Sequence, residues 1–350
     1  MSGAFLSSCL SAPHFDEAAW QEETRSTNPS LLYAKHYEDG HYFNPWLPIE
    51  HGGFTRLLRW RLSSREDYTD AEESYLPKLI PELPSRVGSA VAEGHDFIAW
   101  VGHGTFLVGL KGSYWIIDPI LTDRALVPKR KTPPALSLQE LNALGLKLNL
   151  IVTHNHYDHL DAPTVRGLAH TERVFVPLGL KGTLENLGMR RVTEMDWWQT
   201  LELPENMRLV CLPAQHWSIR IGQWRNRTLW ASFLLMAPGR TVYIGGDSGY
   251  FIGYKEIGTK YPGIDYALLP LTAYHPRWFM HYAHMNAQEV LEAFEDLGAH
   301  FLVPTQWGTF RLGNEPAGYP ALDLRRTMEK KSVNPSRVLI MDLGQMEIMR

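Results

Sequence analysis

The sequence predicts a mixed α/β domain. Three observations carry that expectation: short aliphatic or β-branched runs that end in polar residues, helix-opening capping patterns set between them, and an ordinary globular composition without internal repeats or low-complexity tracts. The 350 residues are 44% hydrophobic and 21% charged, which suits one large domain or two small ones.

Residues 1–95 show little hydrophobic period and many turn formers, as in "GHYFNPWLPIEHGG", and are expected to form an irregular arm packed on the core. Within them, "FTRLLRWRL" sets Phe54, Leu57, Leu58 and Leu62 on one helical face and clusters Arg56, Arg59 and Arg61 elsewhere. That is the pattern of a basic interfacial helix, but the plainer reading is a segment docked on the body. From Phe97 the texture changes, and residues 96–350 form the second unit.

There "FIAWVGHGTFLVGL" and "SYWIIDPIL" read as strands joined through a Lys-Gly turn. Ser137 and Glu140 open a short helix with a capping box, and Gly145 stops it. The strand "LNLIVTH" then runs into a histidine cluster. Further strands follow in "RLVCLPAQHW", "TVYIGGDSGY", "YALLPLTAY" and "HFLVPTQWGTF", the last fed by a helix that Asn286 and Glu289 cap and Gly298 ends.

Bulk charge excludes some partners. A net charge of -4 and a pI near 6.4 give no long-range attraction for nucleic acid. Cys9 and Cys211 are too few for a disulfide framework or a thiolate metal site, which fits an intracellular protein. The start "MSGAFLSSCLSAPHF" lacks the basic and long apolar parts of a secretory signal. No window approaches the roughly 18 apolar residues of a membrane span, so membrane contact is expected to be peripheral.

The chemistry concentrates in "THNHYDHLD", residues 153–161. Imidazoles and carboxylates this dense repel one another or pay heavily for burial unless a cation holds them. His154 and His156, two apart on an extended segment, aim the same way, whereas Asp158 and His159 lie past the bend and aim at a second position. His216 and Asp247 stand at the ends of later strands. His216 completes a three-histidine set, and Asp247, with two carboxylate oxygens, bridges both positions. Two neighbouring cations follow from this arrangement.

"HNHYDHLD" has the His-x-His-x-Asp-His signature and resembles the metallo-β-lactamase superfamily. The surroundings look like its N-acyl-phosphatidylethanolamine phospholipase D family: "NPW" at 44–46, "WVGHGT" at 100–105, "DPIL" at 118–121, "VPLGL" at 176–180, "DWW" at 196–198, "PAQHW" at 213–217, "GGDSGY" at 245–250, "AYHPRWFM" at 273–280 and "WGTF" at 307–310. The resemblance implies a four-layered αββα sandwich with a two-zinc centre between the sheets, one or two Zn2+ ions being expected once the departures below are counted. It implies phospholipase D chemistry, in which a metal-bound hydroxide cleaves N-acyl phosphatidylethanolamine to phosphatidate and an N-acylethanolamine. Asp158 would also accept the proton of the attacking water, and Asp118 would orient a ligand histidine. The resemblance further suggests a homodimer.

Two departures stand against it. Gln306 occupies the place of the family's last metal histidine, and a neutral amide oxygen is a weaker zinc ligand better suited to hard ions. His275 stands where the family carries an acidic residue; His275, His281 and His284 are then either substitute ligands or residues beside the site. For the substrate, a phospholipid or other amphiphile, Arg277 and the Lys129–Lys131 loop are candidate phosphate contacts, and Trp217, Trp278, Phe279 and Trp307 could wall an apolar entrance. Two other readings remain: a lactonase or other ester hydrolase of the same superfamily, and a metal-impaired, lipid-binding relative.

Overall fold

The computed structural model describes residues 12–48, 53–63 and 65–349. Most of the stretch read for a secretory signal, with Cys9, and the side chain of Phe54 lie outside the described residues. A small hairpin, β1 (Tyr37–Glu38) and β2 (His41–Tyr42), precedes two large sheets. The first contains β3 (Phe97–Gly102), β4 (Thr105–Leu110), β5 (Ser113–Ile117), β6 (Leu148–Ile151), β7 (Thr171–Pro177) and β8 (Val192–Met195). The second contains β9 (Thr200–Leu203), β10 (Met207–Leu212), β11 (Ser232–Ala237), β12 (Arg240–Ile244), β13 (Tyr266–Pro270) and β14 (Phe301–Thr305). β15 (Met346–Ile348) returns to the first sheet, giving the orders β15-β3-β4-β5-β6-β7-β8 and β14-β13-β12-β11-β10-β9.

Each sheet is antiparallel at one end and parallel at the other. The β5-β6-β7-β8 and β12-β13-β14 pairs are parallel, and these parallel steps need crossovers, which the helices supply. Strand periodicity sorts the core. Ile98, Trp100, Phe106 and Val108 share one buried cluster with Leu209, Leu234 and Leu268 of the second sheet. Their alternates Phe97, Ala99, Val101 and Leu107 instead join Leu83, Val87, Leu141, Val165 and Leu184 from helices over the first sheet. Helices Gly253–Lys260, Ala287–Asp296 and Tyr319–Lys331 add Ile257, Phe294 and Leu324 to the cluster of the second sheet. The architecture is the four-layered αββα sandwich. Both capping boxes form as expected, at Ser137/Glu140 and at Asn286/Glu289.

The amino-terminal stretch differs from the irregular arm expected. It carries helices at Glu17–Ser26, Gly53–Leu62, Asp70–Ser74 and Leu83–Ala92, and the last belongs to the helical layer of the first sheet. Short helices with few apolar residues leave almost no periodic signal. They are held instead by distant partners: Arg25 pairs with Glu292, Glu73 with Arg311 and Glu72 with Arg326. In the basic helix, Arg56 donates to the Trp278 carbonyl and Trp60 to Asn314, yet Leu57, Leu58 and Leu62 stay exposed. The helix is docked and keeps an apolar face outside.

Arg277 is corrected here. Its guanidinium lies 2.8 Å from Glu17 and 2.7 Å from the buried Glu289, so it ties the first helix to the body instead of serving as a phosphate contact. Trp307 is corrected likewise: it is fully buried and stacks on Trp100 at 5.3 Å between ring centres, a core residue and not a cleft wall. Burial pushes the Glu289 carboxyl up to about 7, against the pull of Arg277. Arg277→Met therefore strands a buried carboxyl and should lower stability at neutral pH by about 3 kcal/mol in urea denaturation. A loss under about 1 kcal/mol, the range of an exposed pair, would contradict this placement.

Candidate metal centre

Every candidate ligand sits just past a strand end at one rim of the sandwich. His154, His156, Asp158 and His159 follow β6, His216 follows β10 and Asp247 follows β12. Local backbone details aim them. Gly246 has φ 60°, and a Cβ there would sit 2.8 Å from the Thr153 Cβ, so only glycine lets β12 approach the histidine loop this closely. Asn44 donates to the His216 carbonyl and Trp46 to the Gln215 side chain, so the amino-terminal region fixes the loop that carries His216.

Four ligand atoms converge at the first position. His154 Nε2 lies 2.9 Å from His156 Nδ1, and His216 Nε2 lies 3.2 Å from that same atom. Asp247 Oδ2 is 3.7 Å from His154 Nε2 and 3.5 Å from His216 Nε2. A tetrahedron with ligands about 2.0 Å from its centre has edges of roughly 3.3 Å, so the spacing fits a zinc-sized ion. The imidazoles leave little alternative. His216 Nδ1 faces the Ala283 carbonyl at 3.2 Å, which places its proton there and leaves Nε2 as a lone pair. Burial, then neighbouring imidazoles, holds His154 well below the ordinary histidine range; burial holds His156 down to about 4. These rings stay neutral and nucleophilic, as ligands must be.

The second position is built from His159, Asp158 and Asp247. His159 Nδ1 donates to Asp118 Oδ2 at 2.6 Å; its Nε2 then lies 3.2 Å from Asp247 Oδ1 and 3.5 Å from Asp158 Oδ2. Burial raises the two carboxyls, but the surrounding histidines together, His159 and His103 at Asp158 and His159, His216 and His154 at Asp247, keep both well below the usual carboxylate range. Asp118 also accepts from Thr153 N at 2.7 Å and Thr153 Oγ1 at 2.6 Å. It therefore ties the end of β5 to the residue just past β6 and holds the ring of the candidate ligand His159, the orienting role that the resemblance implies.

One residue escaped the sequence reading. His103 stands at a turn between β3 and β4, within what reads as one continuous strand; its Nε2 is 3.0 Å from Asp158 Oδ2 and its Nδ1 3.2 Å from the Gln306 carbonyl. The flanking Gly102 and Gly104 were the available signal. His103, Asp158 and His159 form a second cluster within metal-holding reach, beside that of His154, His156, His216 and Asp247. Gln306 does reach the centre, where its amide nitrogen donates to Asp247 Oδ1 at 2.7 Å and to the Gly246 carbonyl at 3.0 Å.

The centre floors a cleft of about 620 Å³. His156, Asp158, Asp247 and His284 line its base; Trp60, Tyr157, Trp217, Ile219, Phe279 and Met280 line its walls, with Leu126 and Val127 toward the loop after β5. Trp217 and Phe279 thus stand where an apolar entrance was expected. Of the three extra histidines, His284 alone lines this cleft, 5.4 Å ring to ring from His216. His275 bonds Tyr68, and His281 Nδ1 donates to the Arg277 carbonyl.

A model of the beta-lactamase superfamily domain matches residues 114–307. An N-acyl-phosphatidylethanolamine-hydrolyzing phospholipase D of Caenorhabditis elegans is 32% identical over 337 residues, 89% of this chain and 94% of that protein. The mitochondrial enzyme of the same description from Saccharomyces cerevisiae is 33% identical over 271 residues, 71% of this chain and 56% of that protein. Among solved structures, Igni18, a metallo hydrolase of Ignicoccus hospitalis, aligns with a TM-score of 0.56 at 20% identity, over 72% of this chain and 97% of that one, a likeness of fold.

Two substitutions probe the centre. His156→Ala removes a ligand and should abolish nearly all hydrolysis; wild-type turnover in that variant would refute the ligand set. Asp118→Asn frees the His159 ring and should weaken cation binding by roughly ten- to a hundredfold, read by competition with a chelator.

Proposed function

The chain belongs to the metallo-β-lactamase superfamily and is a metal-dependent hydrolase, and on that basis we propose that it hydrolyses the phosphodiester of N-acyl phosphatidylethanolamine-like phospholipids in the phospholipase D sense. Water adds to phosphorus and the bond to the ethanolamine oxygen breaks, releasing phosphatidate and an N-acylethanolamine. The observation that carries the reading is an apolar cleft opening directly onto His156, Asp158 and Asp247. A small polar ester would not need such walls; an acylated headgroup does.

A divalent cation held by His154, His156, His216 and Asp247, zinc by the character of these donors, would acidify water and offset charge on the phosphoryl oxygens. The protein's own groups do the rest. Arg220, whose guanidinium sits 4.0 Å over the Tyr157 ring and donates to the Asn155 carbonyl, is the cation that lines the cleft and faces an incoming phosphate. Asp158 stands ready as a proton acceptor beside the attacking water. Burial lowers the His284 pKa, so this ring at the cleft base is a second acceptor. The aromatic and aliphatic walls exclude bulk water from the reacting phosphate.

The mouth suits a bilayer. Leu57 on the basic helix, Leu126 and Val127 on the loop after β5, and Ile219 and Ile221 on the loop after His216 line the cleft and are exposed, with Ile221 75% and Val127 72% accessible. Arg61 and Lys129, both exposed, accompany them. Apolar side chains flanked by cations bind the interface of a phospholipid membrane. Among the described residues no helix is long and apolar enough to cross one.

Purified protein given vesicles of N-acyl phosphatidylethanolamine should release N-acylethanolamine, read by mass spectrometry. Turnover confined to a lactone panel would overturn the substrate. Val127→Asp combined with Ile221→Asp should slow vesicle hydrolysis roughly tenfold or more, since burying one such side chain contributes about 1.5 to 3 kcal/mol. Hydrolysis of a short-chain, monomeric diester should be unaffected; equal losses on both would contradict membrane docking.

A further inference from the structure

The two halves of the centre are unequal, and Gln306 is the cause. We propose that this protein retains one divalent cation tightly, at His154, His156, His216 and Asp247, and that the position beside Asp158 and His159 binds a second only weakly and exchangeably. The inference rests on the metal-dependent reading of the site and not on which ester is cleaved.

At the first position every donor has a free electron pair. His216 has its proton committed to Ala283, and His154 Nε2, His156 Nδ1 and Asp247 Oδ2 close the set. At the second position the donors are already engaged. Asp247 Oδ1, the oxygen turned that way, accepts from Gln306 Nε2 at 2.7 Å, and the same nitrogen donates to the Gly246 carbonyl at 3.0 Å. Both amide hydrogens are used. Asp158 Oδ2 is met by His103 at 3.0 Å.

A second cation would need the Gln306 amide reversed, so that its oxygen became a ligand. Reversal sets that oxygen against Asp247 Oδ1 and the Gly246 carbonyl, two acceptors, and forfeits both hydrogen bonds. The side chain has no easy retreat, because the backbone is anchored: Gln306 N donates to the His103 carbonyl at 3.1 Å, and Gln306 φ is 73°. With the His103 Nε2 turned to Asp158 Oδ2, what remains is His159 and carboxylate oxygens, a partial set that favours a hard, labile ion over zinc. The buried Gln306 Oε1, which has no hydrogen-bond partner, is the residue of that mismatch.

The test is an ion count. Metal-free protein titrated with cobalt(II), then with zinc, and passed through a desalting column should keep one equivalent. Gln306→His should keep two. Gln306→Glu, which removes the N–H donor and supplies a carboxylate oxygen, should also move the count from one toward two, and it serves if the histidine variant fails to fold. Two retained equivalents in the wild type, none, or a count of one in both folded variants would overturn the proposal. A protein that keeps one equivalent and yet cleaves no N-acyl phospholipid overturns only the substrate reading.

Discussion

The constraint on which the molecule depends is the burial of imidazoles and carboxylates around one point at the rim of the sandwich. His154, His159 and His216 are essentially inaccessible, and Asp247 nearly so. Bringing such groups together out of water is costly unless each finds a partner and the excess negative charge meets a cation. His154 Nε2 and His216 Nε2 both point at His156 Nδ1, at 2.9 and 3.2 Å, and three ring nitrogens meeting out of water are the imprint of a site completed by something other than protein. A divalent ion held there would relieve that burial.

The scaffold provides the required stiffness. Ligands stand beyond strand ends, so their positions are set by the pairing of strands deep in the core while the loops beyond shape the cleft. The backbone is forced where the site demands it: His103, Asp118 and Gln306 all have left-handed φ values, 51°, 40° and 73°. Each costs roughly 1 kcal/mol or more, and such strain concentrates at functional positions because the surrounding packing over-determines it. Asp118 shows how closely fold and chemistry are joined, since one carboxylate ties β5 to β6 and orients His159.

What could be read from the chain follows from how far apart the interacting residues lie. The histidine loop was legible because four of its groups fall within six positions, and the capping boxes because each is complete within four residues. His103 was not, since a two-residue turn inside an unbroken aliphatic run looks like continuous strand. Arg277 invited a phosphate reading because its partner Glu17 is 260 positions away and the pairing exists only after folding. Trp307 has the composition of a cleft wall, but its stacking on Trp100 depends on the second sheet crossing over the first. Of the amino-terminal helices the basic one was legible from its apolar face, whereas Glu17–Ser26 and Asp70–Ser74 escaped because caps and distant ion pairs hold them in place of an apolar stripe. Gln306 was recognisable as a departure, whereas its effect, an N–H aimed at Asp247, is a matter of side-chain orientation.

A cation gripped between His154, His156, His216 and Asp247 is therefore the centre of the account. The most direct measurement is anomalous X-ray scattering from crystals, collected on either side of the zinc absorption edge. The account predicts a strong peak within bonding distance of all four side chains. An active crystal without anomalous density at that point would contradict it.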